Sequence, residues 1–561
     1  MSRLRTLPQA LAEAARAGCG YTFVHSAAGG ASPDPSIETF RSYADIQTRA
    51  QRIARSLRES GLRRGDLVAL VLPDAEQFLT AFFGASMASF VPASLFAPSA
   101  TTELRRYFDL TANALRSSGA SAVVTTPGLR PELEALRATC PALSLVLTWE
   151  SLDAPAAEID ALPGLDDIAF VQFTSGSTSA PKGIVLSHRN VAANVDAING
   201  PSGLAIGVDD VAVGWLPLSH DMGLVGLGLG PLYAASHGVF LPPHLFARRP
   251  VEWLRALTRH RGTISFSPNF GYDLCVRRVK DRELDGLDLS AWRIAGCGAE
   301  PIHAQTLEAF AERFARSGFR RTSLFPSYGL AEHVLAASFS PRGRGARSEV
   351  VAEEGLEHER VARPACDGSA GITLVSCGRP FPGHEIRILN EDGQPLPERS
   401  IGEIVLSGPS VMLGYYKHDA LTRQTVRDGW LRTGDLGYLA GGELFVCGRA
   451  KDIIIVHGRK YHPQDLEWAV DDLAGVRRGR VVAFGTTEAG RPDRVVIVAE
   501  PNGTVAAETL QQAIRQQVSD LFGLYVDEVA LVPSGTVGRT TSGKVRRSET
   551  RARYEGLRAE G

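Results

Sequence analysis

The chain has 561 residues, 44% hydrophobic and 22% charged, a globular composition with length for about three to four domains. Its 60 basic and 62 acidic residues leave a formal charge of −2, so no basic field argues for nucleic acid and no acidic tail for a disordered segment. Seven scattered cysteines without a Cys-x-x-Cys spacing argue against a zinc site or disulfide framework and for a reducing compartment.

The first residues, MSRLRTLPQALAEAARAGCG, lack the apolar core of a signal peptide. No run approaches the ~20 apolar residues of a membrane span, and a cytoplasmic location is expected. From Tyr43, YADIQTRAQRIARSLRESG has helical apolar spacing and ends at a glycine. DLVALVLP follows as a buried strand, DAEQFLTAFFGASMAS as a second helix and FVPASL as a second strand. This alternation recurs through the first 330 residues and predicts an α/β fold with largely parallel sheets. Beyond Gly371, HEIRILNEDGQPL, GEIVLSG and GELFVCG read as short strands of a small β-rich subdomain. From Lys451, strands in RVVAFGT and DRVVIVAEP alternate with a helix in AAETLQQAIRQQVSDLFG, which predicts a separate small α+β domain. The domains are therefore expected at 1–450 and 451–561. The Gly-, Arg- and Glu-rich patch from Ser340 to Gly371 is the least core-like stretch and is expected to be a surface insertion.

The stretch FTSGSTSAPKGIVLSHRN (Phe173 to Asn190) follows the apolar strand IAFVQF. Small residues let backbone N–H groups converge on an anion, and hydroxyls add donors. Thr174, Ser175, Gly176, Ser177 and Thr178 are the candidates, with Lys182 as the point charge. It is not a Walker A loop, because Pro181 precedes the lysine and Gly183 follows it. Four further stretches bear on its meaning: PSYGLAEH (Pro326 to His333), GWLRTGDLGY (Gly429 to Tyr438), GRAKDIIIVHGRKYHPQDLE (Gly448 to Glu467) and GRTTSGKVRRSE (Gly538 to Glu549).

In order and spacing these five motifs resemble the acyl-adenylate-forming superfamily, which includes acyl-CoA synthetases, firefly luciferase and peptide-synthetase adenylation domains. The resemblance implies a large N-terminal domain of stacked α/β subdomains with a small β-rich subdomain, followed by a small mobile C-terminal α+β domain. It implies ATP and Mg²⁺ as cofactors, and a reaction of carboxylate with ATP to give acyl-AMP and pyrophosphate. By that resemblance the Ser/Thr/Gly loop and Lys182 hold the β- and γ-phosphates, Glu332 holds Mg²⁺, and Lys544 bridges the carboxylate and the α-phosphate. Asp435 and Arg449 reach the ribose. Tyr328 stacks on adenine within Ser327, Tyr328, Gly329, Leu330 and Ala331, while Gly298, Ala299, Glu300 and Pro301 line the other side. Lys451 occupies the hinge.

ISFSPNFGYDLCVRRVK, WLPLSHDMGLVG and LVSCGRPFPGHEIRI look like fatty acyl-AMP ligases, as does the insertion, which lies within the 50 positions separating Tyr328 from Gly378. In that branch coenzyme A is a poor acceptor, and the acyl group passes to the phosphopantetheine thiol of an acyl carrier protein. Ser179 stands where most acyl-CoA synthetases have glycine, a departure that fits the branch. LPLSHDMGLVGLGLGPLYAA is apolar and glycine-rich, as suits either an acyl tunnel wall or a core helix. Trp215, His220, Asp221, Met222 and Gly223 are the candidate substrate residues. Asp221 also admits an amino-acid substrate. An acyl-CoA synthetase and a non-catalytic acyl- or nucleotide-sensing module are the rival readings.

Overall fold

The computed structural model describes residues 4–25, 37–98, 104–174, 182–352, 355, 359–366, 371–456, 459–486, 494–539 and 545–560. Two large sheets organise the first two thirds of the chain. The seven-stranded sheet runs in the order Gly414–Tyr415, Lys182–Ser187, Ile168–Thr174, Val91–Ser94, Leu67–Leu70, Ala122–Thr125, Leu145–Thr148. Its last five strands are parallel, and the first two are added antiparallel. The nine-stranded sheet has the parallel centre Leu324–Gly329, Ile294–Cys297, Ile264–Ser267, Val211–Gly214, His237–Phe240, Gly20–His25, with antiparallel strands at both ends. The expected alternation of strands and helices is thus present.

Side-chain alternation explains how the sheets are covered. Val68 and Leu70 enter a core shared with the helices Tyr43–Glu59 and Ala75–Met87 and with the nine-stranded sheet. Leu67, Ala69 and Val71 face a separate cluster on the opposite side. A strand clothed on both faces is apolar at every position, which is why DLVALVLP shows no period of two.

The β-rich expectation after Gly371 holds. Glu385–Leu389, Gly402–Ser407, Trp430–Ala440 and Glu443–Arg449 form antiparallel ladders. Gly441 and Gly442 both have positive φ, 61° and 73°, the geometry of a tight two-residue hairpin. That hairpin sets Asp435 directly opposite Arg449. Further on, Val476–Thr486, Arg494–Pro501 and Glu528–Leu531 form a three-stranded sheet. Val481 and Ala483 pack on the helix Ala507–Phe522, and Val482 and Phe484 pack on Tyr554. Every buried residue of these two clusters falls between Ile454 and Tyr554.

Most described residues of the stretch from Ser340 to Gly371 are exposed or half-buried, and a few side chains anchor the stretch to the fold. Ser348–Ala352 pairs antiparallel with Gly371–Val375. Val351 and Ala362 are fully buried with Tyr438 and Phe445. Arg344 grips the buried Glu443 bidentately at 2.6 and 2.9 Å, Ser376 Oγ donates to the same carboxylate at 2.6 Å, and Arg347 stands 3.4 Å from it. Residues 353–354, 356–358 and 367–370 of the patch lie outside the described residues. Among the described residues no helix is long and apolar enough to cross a membrane, and no group of three or more His, Cys, Asp or Glu could hold a metal ion.

Candidate active site

A cleft of about 1400 Å³ opens where the ends of the two large sheets, the Trp430–Ala440/Glu443–Arg449 hairpin and the C-terminal unit meet. Its first wall is the hairpin Ile168–Thr174/Lys182–Ser187, whose register sets Thr174 against Lys182. Ser175, Gly176, Ser177, Thr178 and Lys544 lie outside the described residues, as does the side chain of Thr174. Lys182 lines the cleft, and its ammonium stands 5.4 Å from the Tyr415 ring centre, within cation–π range.

The second wall is the end of Leu324–Gly329. Ser327, Tyr328, Gly329, Leu330, Ala331 and Glu332 all line the cleft. The Glu332 Oε1 accepts from the Tyr415 hydroxyl at 2.9 Å. A carboxylate has about four acceptor sites, so this single bond leaves capacity for a cation. Just behind Glu332 the chain makes a strained turn. Val334 has φ 64° and ψ −62°, and Leu335 N–H donates to His333 O at 2.8 Å. That is a γ-turn of the rare hand, at a β-branched residue. Such strain costs about 1–3 kcal/mol and persists only where the surroundings over-determine it. Here they do. Asn194 Nδ2 donates to Ala336 O, Asn194 Oδ1 accepts from Ala336 N–H, and Met412 N–H donates to Glu332 O. The buried His333 imidazole is held neutral, with its pKa lowered to about 3 by burial and by the neighbouring His384.

The third element is a polar triad assembled across long sequence distances. Asp435 Oδ1 accepts from Arg449 Nε at 2.9 Å, and Oδ2 accepts from the Tyr328 hydroxyl at 2.8 Å. Burial, then the adjacent Asp435 charge, push the Tyr328 phenol well above its usual pKa. Asp435 in turn raises that of Arg449. Gly434, with φ 70°, lies inside the strand at a shift of register, next to Asp435. Lys451 lies on the rim, where desolvation and then Arg449 lower the pKa of its ammonium.

Beside the strand that bears Tyr328, Ala299, Glu300 and Pro301 line the cleft, whereas Gly298 is not among the lining residues. A Cβ on Gly298 would lie 2.7 Å from Ser327 Oγ, so only glycine lets this loop sit flat on the strand.

Of the expected substrate residues, His220, Asp221 and Met222 line the cleft. The His220 and Asp221 side chains meet at 2.5 Å, and Asp221 Oδ1 accepts from Met222 N–H at 2.7 Å. Trp215 and Gly223 are not among the lining residues. Trp215 is stacked on Phe246 at 3.8 Å in a buried aromatic cluster with Trp253. Gly223 abuts the Pro217 carbonyl, which a Cβ would meet at 2.2 Å. The glycine-rich run forms a π-helix, Met222–Leu229, a form frequent at functional sites. Its Gly226, with Ile198, Leu204, Met222, Leu335 and Ala336, lines an apolar branch of the cleft. Tyr415, within MLGYYK, escaped the reading of the sequence, because no local pattern marks a tyrosine whose partners lie 83 residues away.

One cleft thus joins Lys182, a Tyr–Asp–Arg triad and a set of apolar residues. The chain belongs to the AMP-binding enzyme family, whose pattern it matches over residues 12–416, and is an adenylate-forming ligase. It is 38% identical to a protein of Caulobacter vibrioides named as an acyl-CoA synthetase, over 91% of this chain and 90% of that one. It is 33% identical to the medium-chain-fatty-acid–[acyl-carrier-protein] ligase JamA of Moorena producens, over 91% and 89%. A solved structure from a study of fatty acyl-adenylate ligases of E. coli and L. pneumophila superposes with a TM-score of 0.92 at 36% identity, covering 99% of both chains.

Proposed function

We propose that this chain is a fatty acyl-AMP ligase that activates a fatty acid with ATP and passes the acyl group to the phosphopantetheine thiol of an acyl carrier protein. The observation that carries the reading is the continuity of one cleft. Lys182, Glu332 and the Tyr328–Asp435–Arg449 triad line the same cavity as the apolar residues Met222, Gly226 and Leu335.

The chemistry explains the residue types. A fatty carboxylate must approach a polyphosphate, and like charges ~4 Å apart repel by about 4 kcal/mol at an effective dielectric near 20. Lys182, the Thr174–Thr178 loop and Lys544 offset that repulsion. Glu332 would hold Mg²⁺, which would neutralise phosphate charge when bound. Asp435 retains free acceptor sites beyond its bonds to Tyr328 and Arg449, as two ribose hydroxyls require. Tyr328 and the Gly298–Pro301 loop flank the adenine. A carboxylate oxygen then attacks the α-phosphorus. A new P–O bond forms as the bond to the pyrophosphate oxygen breaks, and the pair of electrons leaves with pyrophosphate. Positioning and electrostatics carry the rate.

The proposal divides the chain into an adenylation domain, residues 1–450, and a mobile domain, 451–561, with Lys451 at the hinge. The separate C-terminal cores support that division. A cytoplasmic location fits the reading. The second reading is an acyl-CoA synthetase, favoured by the name of the Caulobacter relative. One experiment separates them: mass spectrometry of the protein with ATP, Mg²⁺ and mixed fatty acids, with coenzyme A or holo-carrier protein added separately. Acyl-AMP that persists with coenzyme A and disappears onto the carrier supports the ligase. Ready acyl-CoA formation supports the synthetase, and no pyrophosphate release with any fatty acid refutes both.

A further inference from the structure

The segment Met412–Tyr416 bridges the two large sheets. On one side Leu413 N–H donates to Val185 O and Tyr416 N–H donates to Gly183 O, so Gly414–Tyr415 runs antiparallel along the strand that begins at Lys182. On the other side Met412 N–H donates to Glu332 O at 2.9 Å, just past the end of the strand Leu324–Gly329. These backbone bonds set the distance between the strand that bears Lys182 and the turn that bears Glu332.

Tyr415 stands within that bridge, in register with Ile184. Its own N–H donates to Thr422 Oγ1 at 2.9 Å. Gly414 before it holds φ at 147°, and a Cβ there would meet Thr422 Cγ2 at 2.5 Å. The glycine lets Thr422 close on the backbone of the tyrosine, so the side chain departs from a fixed point.

That side chain meets two opposite charges with different parts of itself. Its hydroxyl donates to Glu332 Oε1 at 2.9 Å. The centre of its ring lies 5.4 Å from the Lys182 ammonium, and an aromatic face attracts a cation at that range. Lys182 and Glu332 line the cleft, whereas Tyr415 is not among the lining residues. It is 7% exposed and stands behind both. Burial, then the Glu332 charge, push its phenol well above the usual pKa, so the hydroxyl keeps its proton and remains a donor. One donated bond fixes the orientation of the carboxylate and leaves its other acceptor sites for a cation. Orientation matters here, because Mg²⁺ demands near-ideal octahedral geometry.

We propose that Tyr415 is a positioning residue for nucleotide binding, its hydroxyl orienting Glu332 for Mg²⁺ and its ring seating Lys182 for the phosphates. This rests on the ligase reading for the roles of Glu332 and Lys182. Tyr415 touches neither nucleotide nor metal and acts through those two side chains.

The test reads binding, not turnover. Calorimetry on the full chain uses α,β-methylene-ATP, which cannot release pyrophosphate, once in EDTA and once in excess Mg²⁺. Tyr415→Phe keeps the ring and removes the hydroxyl. It is expected to cut the affinity gained from Mg²⁺ about 10-fold, as loss of a bond to a charged group does, with metal-free affinity within about twofold of wild type. Glu332→Gln should remove a similar gain, and adding Tyr415→Phe to it should cost nothing further, since both act through one carboxylate. Tyr415→Leu also removes the ring and should weaken metal-free binding about 3- to 10-fold relative to Tyr415→Phe, the range of a cation–π contact. Equal metal-free affinities in those two variants overturn the seat for Lys182; where Tyr415→Leu does not fold, Tyr415→Phe decides alone. Equal losses with and without Mg²⁺ in Tyr415→Phe would mark a merely structural residue and overturn the proposal. A wild type that gains nothing from Mg²⁺ refutes the role of Glu332 and the proposal with it. A wild-type gain that Tyr415→Phe leaves intact refutes the role of Tyr415 alone.

Discussion

Glu443→Gln tests what anchors the stretch from Ser340 to Gly371. Deleting that stretch would remove Val351 and Ala362 from a buried cluster, so a point change is the cleaner perturbation. Glu443 is 1% exposed and bound by Arg344, Arg347 and Ser376. Burial pushes its pKa up, and Arg344, Ser376 and Arg347 more than reverse that, holding it at about 2 against an ordinary 4.5. At about 1.4 kcal/mol per tenfold in proton affinity, this corresponds to about 3 kcal/mol at neutral pH. Removing one partner of a buried pair costs a similar 3–5 kcal/mol. Hydrogen exchange in Arg344–Ala352 and Glu443–Arg449 should therefore speed by about 100-fold if these segments open locally. The sign with pH follows. A carboxyl whose pKa is lowered by folding stabilises fully above pH 4.5, and that contribution fades as pH falls towards 2. Wild type and variant should converge in stability across that window. Exchange within twofold of wild type, with an unchanged acid profile, would show that the network does not hold this stretch down. The Glu443–Arg449 strand ends at Arg449, so the ATP KM should rise severalfold in the same variant. Greater acyl-CoA formation would link the anchored stretch to the choice of acceptor.

Gly226→Leu would fill the apolar branch, because a Cβ there already stands 3.2 Å from Leu335 Cδ2. With about 0.8 kcal/mol for each methylene denied burial, kcat/KM for long-chain acids should fall by 100-fold or more while short acids stay within about threefold. Equal losses for all chain lengths in a pyrophosphate assay would place the acyl chain elsewhere. Tyr328→Phe removes a buried bond to a charged group, about 1.5–3 kcal/mol. It should raise the ATP KM about 10-fold with kcat nearly unchanged, as uniform binding loss does; a fall in kcat alone would instead give Tyr328 a role confined to the transition state. Lys544→Ala should abolish pyrophosphate release while calorimetry still detects ATP binding, and wild-type turnover would remove Lys544 from the chemistry.

The features legible in the sequence are those made by neighbours along the chain. The amphipathic spacing from Tyr43 gives the helix Tyr43–Glu59, capped by Ser42 with Asp45. The GELFVCG strand and its glycine turn give the hairpin that pairs Asp435 with Arg449. What escaped are arrangements whose cause lies elsewhere in the chain. The run EHVLAA carries no turn residue, yet Val334 adopts a rare γ-turn because Asn194 and Met412 fix the backbone on either side of it. Trp215 and Gly223 stand close in sequence to His220, Asp221 and Met222, but adjacency along the chain does not set which way a side chain faces. Trp215 found an aromatic cluster and Gly223 a carbonyl.

The anchoring of the charged stretch after Ser340 escaped for a related reason. Arginine and glutamate are solvated by default, and burial becomes favourable only when each charge meets a partner of fixed geometry. Arg344 meets Glu443 across 99 residues, and Glu349 meets Tyr438 across 89. Composition reports the cost of burying those charges and carries no trace of the partners that offset it. The same logic makes Glu443 the informative position. If composition were a sufficient guide, the charge-neutral variant would be silent; if the long-range pairing decides, that single carboxylate controls how firmly the stretch grips the strand that bears Arg449.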